Sequence, residues 1–203
     1  MKKTILLSFA VITANFAISQ SVHYGIKGGL NLSNLTYKNA GSLDYKVGFH
    51  VGALAHIHVS RHFAVQPELM YSNQGGEGTL IGNNTNFKDH LNYINLPVLG
   101  QYMFGRGFRL ETGPQLGFLT GAKRKINSNE TNIKGNFKST DFSWAFGIGY
   151  VGPQRIGFDA RWLVGLNDIN KLIGNNVATY NNNFQVGLFY QFDPGHGHAR
   201  YNR

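Results

Sequence analysis

The sequence contains no cysteine, and only 14% of its 203 residues are charged. A disulfide framework is therefore excluded, and the fold must be stabilised by other means. Apolar periodicity of the helical kind does not extend beyond a turn or two after residue 20, which excludes a helical bundle. What the chain has instead is 26 glycines and 13% aromatic residues. This composition predicts an all-β fold.

The N-terminal segment indicates export. Lys2 and Lys3 precede an uncharged stretch, residues 4–18, and the small-residue pattern Ala17-Ile18-Ser19 lies at its end. Its apolar run is about fifteen residues, short of the roughly twenty that a membrane-spanning helix requires. We therefore expect residues 1–19 to be a cleaved secretory signal peptide.

The formal charge of +9 falls to +7 without Lys2 and Lys3, a value that by itself would suggest a nucleic-acid partner. The basic residues are not interleaved with stacking aromatics, since Phe137 alone accompanies the densest basic stretch. We expect no nucleic-acid partner.

Alternation of apolar and polar residues marks eight candidate strands. In residues 22–32 the even positions are apolar or glycine, whereas the odd ones include His23, Lys27 and Asn31. The same one-sided apolar pattern recurs in seven further segments, of which the fourth is the least regular. The eight segments are 22–32, 45–59, 63–71, 91–104, 108–118, 142–150, 156–166 and 184–192.

A face that is apolar at every second position is what a transmembrane β-barrel presents to lipid. The connections also alternate, because 33–44, 75–90, 120–140 and 167–182 are long, whereas 60–62, 105–107 and 152–155 are short. We predict an all-β, eight-stranded antiparallel up-and-down transmembrane barrel over residues 20–192, followed by a tail, 193–203. A soluble barrel of the lipocalin type is the structural alternative. Aromatic residues expected at the two membrane interfaces are Tyr45, Phe63, Tyr71, Tyr102, Phe104, Phe108, Phe118 and Phe192.

Short motifs in a fixed order resemble the porin-family outer-membrane β-barrel proteins common in Bacteroidetes-type bacteria. They are GIKGGLNLS at 25–33, QPELMYS at 66–72, YINLPVL at 93–99, GPQLG at 113–117 and GLFYQF at 187–192. The resemblance implies location in the outer membrane, insertion by the barrel-assembly machinery and no settled activity. The tail after Phe192 departs from the family pattern, because similar chains usually stop at that aromatic.

The lumen of an eight-stranded barrel is only wide enough to be filled by side chains. Alternation directs four bases and three acids inward, and such charges must pair when they are buried. We expect either a salt-bridged plug or, as the alternative, a narrow ion path lined by the same charges. The seven residues are Lys27, Lys46, Glu68, Arg109, Glu111, Asp159 and Arg161.

Two further patterns are of the kind that can bind ligands. His56 and His58 share a segment with His50, which lies roughly 20 Å away at about 3.3 Å per residue, so a metal site would need a ligand from another strand. The glycines of 147–152 match a dinucleotide fingerprint by letters, but a strand rather than a helix follows them. The tail pair His196 and His198 gives no better reason to expect a metal. We expect no metal and no cofactor.

The third long connection is rich in bases, opposed by Glu130 and Asp141. It could contact phosphates of lipopolysaccharide, or it could simply be a solvated loop. The five bases are Lys123, Arg124, Lys125, Lys134 and Lys138.

Catalysis would need a nucleophile with a base in reach at the lipid surface. The lipid-facing positions contain neither Ser nor His, and Ser60 and His62 fall in a short turn. We therefore expect a monomeric, non-enzymatic barrel in contact with outer-membrane lipid and lipopolysaccharide, with a structural or surface-interaction role. A narrow channel for small solutes is the alternative, and a lipid-modifying enzyme is the third possibility.

Overall fold

The computed structural model describes residues 21–38, 41–80, 85–171 and 177–192. The expected signal peptide, its cleavage site and the tail with His196 and His198 lie outside the described residues. The strands, in chain order, are β1 Val22–Tyr37, β2 Gly41–Ser42, β3 Lys46–His58, β4 Phe63–Leu80, β5 Thr85–Phe104, β6 Phe108–Ile126, β7 Asn129–Asn132, β8 Thr140–Val151, β9 Ile156–Gly165 and β10 Thr179–Gln191. One 3-10 turn, Lys134–Asn136, follows β7. None of the helical structure in the described residues is long and apolar enough to span a membrane.

Eight of these strands form a closed antiparallel ring in the order β1, β3, β4, β5, β6, β8, β9, β10. The ring closes between its first and last members, where Gly25 lies opposite Gln191 and Tyr37 opposite Thr179. The short strands β2 and β7 pair at one end with β1 and β6. The predicted all-β, eight-stranded up-and-down barrel is confirmed.

The two ends of the barrel differ. Both termini of the ring and the connections 59–62, 105–107 and 152–155 lie at one end, called the turn end here. Gly105 and Gly107 have φ values of 58° and 106°, which suit glycine in such a tight reversal. The strand ends that lead into the other four connections lie at the opposite end, called the loop end.

The outer surface of the barrel is apolar around the middle. Side chains such as Leu30, Val51 and Phe158 are more than half exposed on it. Such a continuous apolar surface is favourable in lipid and unfavourable in water. Rings of Tyr102, Phe104, Phe108 and Tyr150 contact one another in sequence near the turn end, with centroids 4.9–6.3 Å apart. They form the aromatic border of this belt.

The predicted long connections were wrong in extent, because the strands continue beyond the apolar belt. β4 runs to Leu80 and β5 begins at Thr85, so residues 75–90 are mostly strand. β5 has 20 residues, about twice the number needed to cross the hydrocarbon layer. Outside lipid a strand no longer needs apolar residues at every second position. The alternation therefore ends at the edge of the belt, although the backbone pairing of the strands continues beyond it.

Candidate functional site

The centre of the lumen is crossed by one ion pair. Arg161 on β9 donates two hydrogen bonds to the Glu68 carboxylate on β4, at 2.7 and 2.8 Å. β9 and β4 are diametrically opposite in the ring of eight. The same guanidinium donates to Glu111 on β6 at 2.7 Å through Nε. One arginine side chain therefore joins three strands across the barrel.

A second buried pair lies beside this bridge. Lys27 on β1 donates to Asp159 at 2.6 Å, and both side chains are about 1% exposed. Asp159 is also 3.6 Å from Arg161 Nε. The two pairs thus form one continuous network of fixed charges.

Two glutamines connect this network to Arg109. Gln66 donates to Glu68 at 2.7 Å and Gln101 donates to Glu111 at 2.8 Å. The carbonyl oxygens of both amides face Arg109 Nη1 at 3.4 Å. The Arg109 guanidinium also stacks over the Phe189 ring, 4.8 Å from its centroid.

Glycines on β8 make room for the two long arginines. A Cβ at Gly147 would come within 2.8 Å of Arg161 Cγ, and one at Gly149 within 3.1 Å of Arg109 Cγ. Two of the three glycines that resembled a dinucleotide fingerprint, Gly147 and Gly149, therefore leave space in the lumen for the arginine side chains.

Lys46 lies apart from the other six predicted lumen charges. It is buried, but it begins β3 at the loop end, where its Nζ donates to Asn73 Oδ1 at 2.6 Å and approaches the Gln74 carbonyl at 3.4 Å. The alternation predicted correctly that the Lys46 side chain points into the lumen, but it did not predict how far along the barrel axis the residue lies.

Neutral side chains fill the lumen between the ion pairs and the loop end. Asn31 donates to Ser72 and accepts from Gln185, while its Oδ1 lies 2.8 Å from His50 Nδ1. Asn181 donates to both Gln74 and Asp141. The alternation places Asn31 and Gln185 on the inward face, but Gln74 and Asn181 lie beyond the segments that it marks.

Above these amides, the loop end contains an apolar core, called the cap here. Leu35, Leu91 and Ile169 are fully buried in it. Its buried members come from β1, β5, β6 and two connections, and are Leu35, Leu91, Tyr93, Leu119, Ala122, Ile133 and Ile169, with Leu43 and Phe137 packed against them. Segments predicted as long connections thus contribute to a core of the soluble-protein kind.

The five bases predicted for the third loop are not all in a loop. Lys123, Arg124 and Lys125 belong to β6, whose register shifts by one residue at Thr120 against β5. This bulge turns Arg124 inward, where it binds the buried Asp89 through two hydrogen bonds of 2.7 Å. Asp141, expected to oppose these bases, is instead buried in the lumen.

The remaining bases of this set lie on the surface. Lys123 pairs with Glu130 at 2.9 Å, and Lys134 donates to the Thr120 carbonyl at 3.0 Å. Lys138 pairs with Asp168 at 2.9 Å. Lys125 is exposed on the same outward face as Lys123, and no ion pair of Lys125 occurs within the described residues.

Asp168 anchors the connection between β9 and β10. Its Oδ1 accepts from the backbone N–H of Asn170 at 2.9 Å and of Thr179 at 2.8 Å, and Oδ2 accepts from Lys138. Partial burial raises the pKa of this carboxyl, but the hydrogen bonds from Lys138, Thr179 and Asn170 outweigh burial and lower it below its ordinary 3.8. The ionised carboxylate therefore stabilises this connection.

Acidification should loosen the connection through Asp168. Because its folded pKa is lowered, its contribution is fully present above the ordinary value and is lost as the pH falls through the folded one. We expect hydrogen exchange at the Thr179 and Asn170 amides to accelerate below about pH 4, beyond the intrinsic pH effect. In Asp168→Asn the extra acceleration should disappear. An identical pH profile in both proteins would contradict the assignment.

Four histidines and three arginines surround the mouth of the lumen at the turn end. His23 on β1 lies opposite His56 on β3, with ring centroids 6.4 Å apart, and His58 contacts both rings. The neighbouring strand thus supplies the third histidine that the sequence left open. Within the described residues, however, no three His, Asp or Glu side chains are arranged so that they could hold a metal ion. Ser60 lies beside His62 in the turn, and its Oγ accepts hydrogen bonds from the backbone N–H groups of His62 and Phe63.

Comparison with known proteins gives one family and several similar folds. The family described as "Outer membrane protein beta-barrel domain" matches residues 18–171. The crystal structure of Neisserial surface protein A is similar with a TM-score of 0.53 at 12% identity, over 85% of this chain and 99% of that one. Ail, the attachment invasion locus protein of Yersinia pestis, gives 0.49 at 14% identity, over 84% and 98%. At these identities the likeness to Neisserial surface protein A shows the fold alone. No match was found among curated protein sequences.

Proposed function

Because the chain belongs to the outer membrane protein beta-barrel domain family and its strands close into a lipid-facing ring, it is a bacterial outer-membrane barrel, and we propose that its lumen is closed to solutes. In such barrels short turns face the periplasm and longer loops face outward. The turn end is therefore the periplasmic end and the loop end the external one.

The observation that carries this proposal is the bridge from Arg161 to Glu68 across the barrel diameter. A solute path through this level would have to separate buried charges that are about 1–3% exposed. Each charge would then be buried without its partner, and an uncompensated buried charge typically costs several kcal/mol. The lumen charges serve as a static polar core.

The cap supports the same proposal independently. It lies at the external end of the lumen, so a solute would meet an apolar barrier before it reached the ion pairs. Two barriers of opposite polarity in series leave neither ions nor apolar solutes a favourable path.

The working surface of a closed barrel is its exterior, and we propose that the external end acts through surface contact rather than catalysis. Lys88 and Lys125 lie opposite each other in the β5–β6 ladder, and His90 lies opposite Lys123 on the same outward face. This face is the one that neighbouring lipopolysaccharide would touch above the apolar belt. Charge attraction to its phosphates would orient and anchor the barrel.

Planar-bilayer recordings test the closed lumen, after a heat-modifiable gel shift has identified folded protein. One variant carries Glu68→Ala, Glu111→Ala and Arg161→Ala, a second carries Leu35→Ala and Ile169→Ala, and a third carries all five. Two barriers in series predict that openings appear in the third variant only. The matched control Glu77→Ala/Lys88→Ala removes an exposed ion pair on the outer face and should stay silent. Steady openings in the wild-type barrel would contradict the proposal and favour the narrow channel.

A further inference from the structure

The periplasmic mouth of the lumen is a cavity of about 500 Å³. Its lining includes His23, His56, His58, His62, Arg61 and Arg109. Arg155 also contributes to the rim. The volume lies within the range of small-molecule sites, which is about 300–1,000 Å³. We call this cavity the vestibule.

The charge of the vestibule has one sign. Three arginines and four histidines line it, and no aspartate or glutamate among the described residues does. The lumen above it is built differently, because there each base of the central network touches an acid. A concave site whose described charged residues are all basic raises the local concentration of anions.

One of the residues that line the vestibule is the buried Arg109. Arg109 is 2% exposed, and no carboxylate of the described residues lies within 4 Å of it. Its hydrogen bonds go to two amide oxygens at 3.4 Å, both through Nη1. A guanidinium has five N–H donors, so capacity remains for an oxyanion.

His56 provides a second, independent indication. The side chain is 3% exposed, and its Nδ1 is buried without a hydrogen-bond partner among the described residues. Buried polar atoms normally have a partner, so this nitrogen has an unused hydrogen bond at the wall of the vestibule. His58 lies beside it with ring centroids 4.5 Å apart.

We infer that the vestibule binds a phosphate-type oxyanion that enters from the periplasm. The guanidinium fork of Arg109 matches the spacing of two phosphate oxygens, and imidazole and Arg61 can donate from the sides. A metal cation would use the histidines but would be repelled by the three arginines. The oxyanion could come from free phosphate or from the headgroup of an inner-leaflet phospholipid, since both present the same chemistry.

The test uses the refolded full barrel with 15N-labelled histidine and arginine, in nonionic micelles and phosphate-free buffer. Inorganic phosphate should shift the ring signals of His56 and His58 and the side-chain signal of Arg109. Arg61→Gln should weaken binding by up to about fivefold, as expected for an exposed charge. Arg109→Gln should weaken it by about ten- to a hundredfold, as expected for a hydrogen bond to a charged group.

Arg106→Gln is the matched control. Arg106 is exposed in the adjacent periplasmic turn and does not line the vestibule, so its removal should leave phosphate affinity unchanged. A second arm replaces phosphate with phosphatidylglycerol doped into the micelles. Shifts with phosphate alone identify a solute, and shifts with the lipid alone identify a headgroup; both support the oxyanion site.

Two results would overturn the inference. One is the absence of any shift of the His56 and His58 rings in both arms. The other is an equal loss of affinity in Arg61→Gln and Arg106→Gln, which would reduce the effect to general attraction by a basic surface. If Arg109→Gln fails the heat-modifiability test for folding, the comparison of Arg61→Gln with Arg106→Gln still decides.

Discussion

Replacing Arg161 with methionine should lower the free energy of unfolding of the barrel by about 3–5 kcal/mol, because Glu68 and Glu111 would stay buried without their cation. Arg161 is the residue that both carboxylates share, at 2.7 Å each. Urea unfolding in micelles, followed by the fluorescence of Trp144 and Trp162, measures the change.

The triple variant Glu68→Gln/Glu111→Gln/Arg161→Met separates pairing from packing. This variant leaves no unpaired charge among the three side chains. It should therefore recover most of the lost free energy of unfolding, since a buried ion pair often contributes little beyond its neutral replacement. Lys88→Met is the surface control, because Lys88 is 53% exposed in its pair with Glu77 and such pairs contribute under about 1 kcal/mol. An Arg161→Met variant as stable as Lys88→Met would mean that the lumen is wet enough to solvate the two carboxylates.

Truncating Leu35 to alanine should open the cap without opening the barrel. Leu35 is fully buried among apolar side chains outside the lipid belt, and such Leu→Ala changes cost about 2–5 kcal/mol in soluble cores. Two backbone hydrogen bonds cross this region: the Lys138 N–H donates to the Ile169 carbonyl, and the Ile169 N–H donates to the Thr179 carbonyl. Their protection from hydrogen exchange should fall by at least about thirtyfold.

Leu32→Ala is the matched control for Leu35→Ala, because it removes the same atoms three residues earlier on β1 from a side chain that faces outward. It should leave the Lys138 and Ile169 amides unchanged. Amides in the membrane-level part of β8 and β9 should be unaffected by both changes. A uniform loss of protection along the whole barrel in Leu35→Ala would show that cap and barrel unfold together.

Alternation along the chain predicted the barrel and the inward direction of its charges, because lipid imposes that pattern on every strand. It could not predict that Arg161 binds Glu68, since these residues are 93 positions apart and meet only when the ring closes. The alternation also did not predict the position of a side chain along the barrel axis. Lys46 was therefore grouped with Lys27, although it lies at the external end with Asn73.

The external end was the part predicted least well. A single extra residue, Thr120, reverses which side chains of β6 face inward, and nothing in the composition of that stretch marks it. The cap had a weak signal, namely the apolar residues Ile133, Phe137 and Ile169 in segments that otherwise read as polar loops. Their burial depends on five separate parts of the chain meeting in one place, which local pattern does not encode.

The molecule thus has two interiors of opposite polarity stacked along one axis. Apolar burial carries a large heat-capacity change, whereas polar burial carries a smaller one of opposite sign. Cooling therefore weakens the packing around Leu35 and Leu91 but scarcely affects the charges held by Arg161. The external surface is the part of this barrel that softens first in the cold, while the bridge across its lumen stays closed.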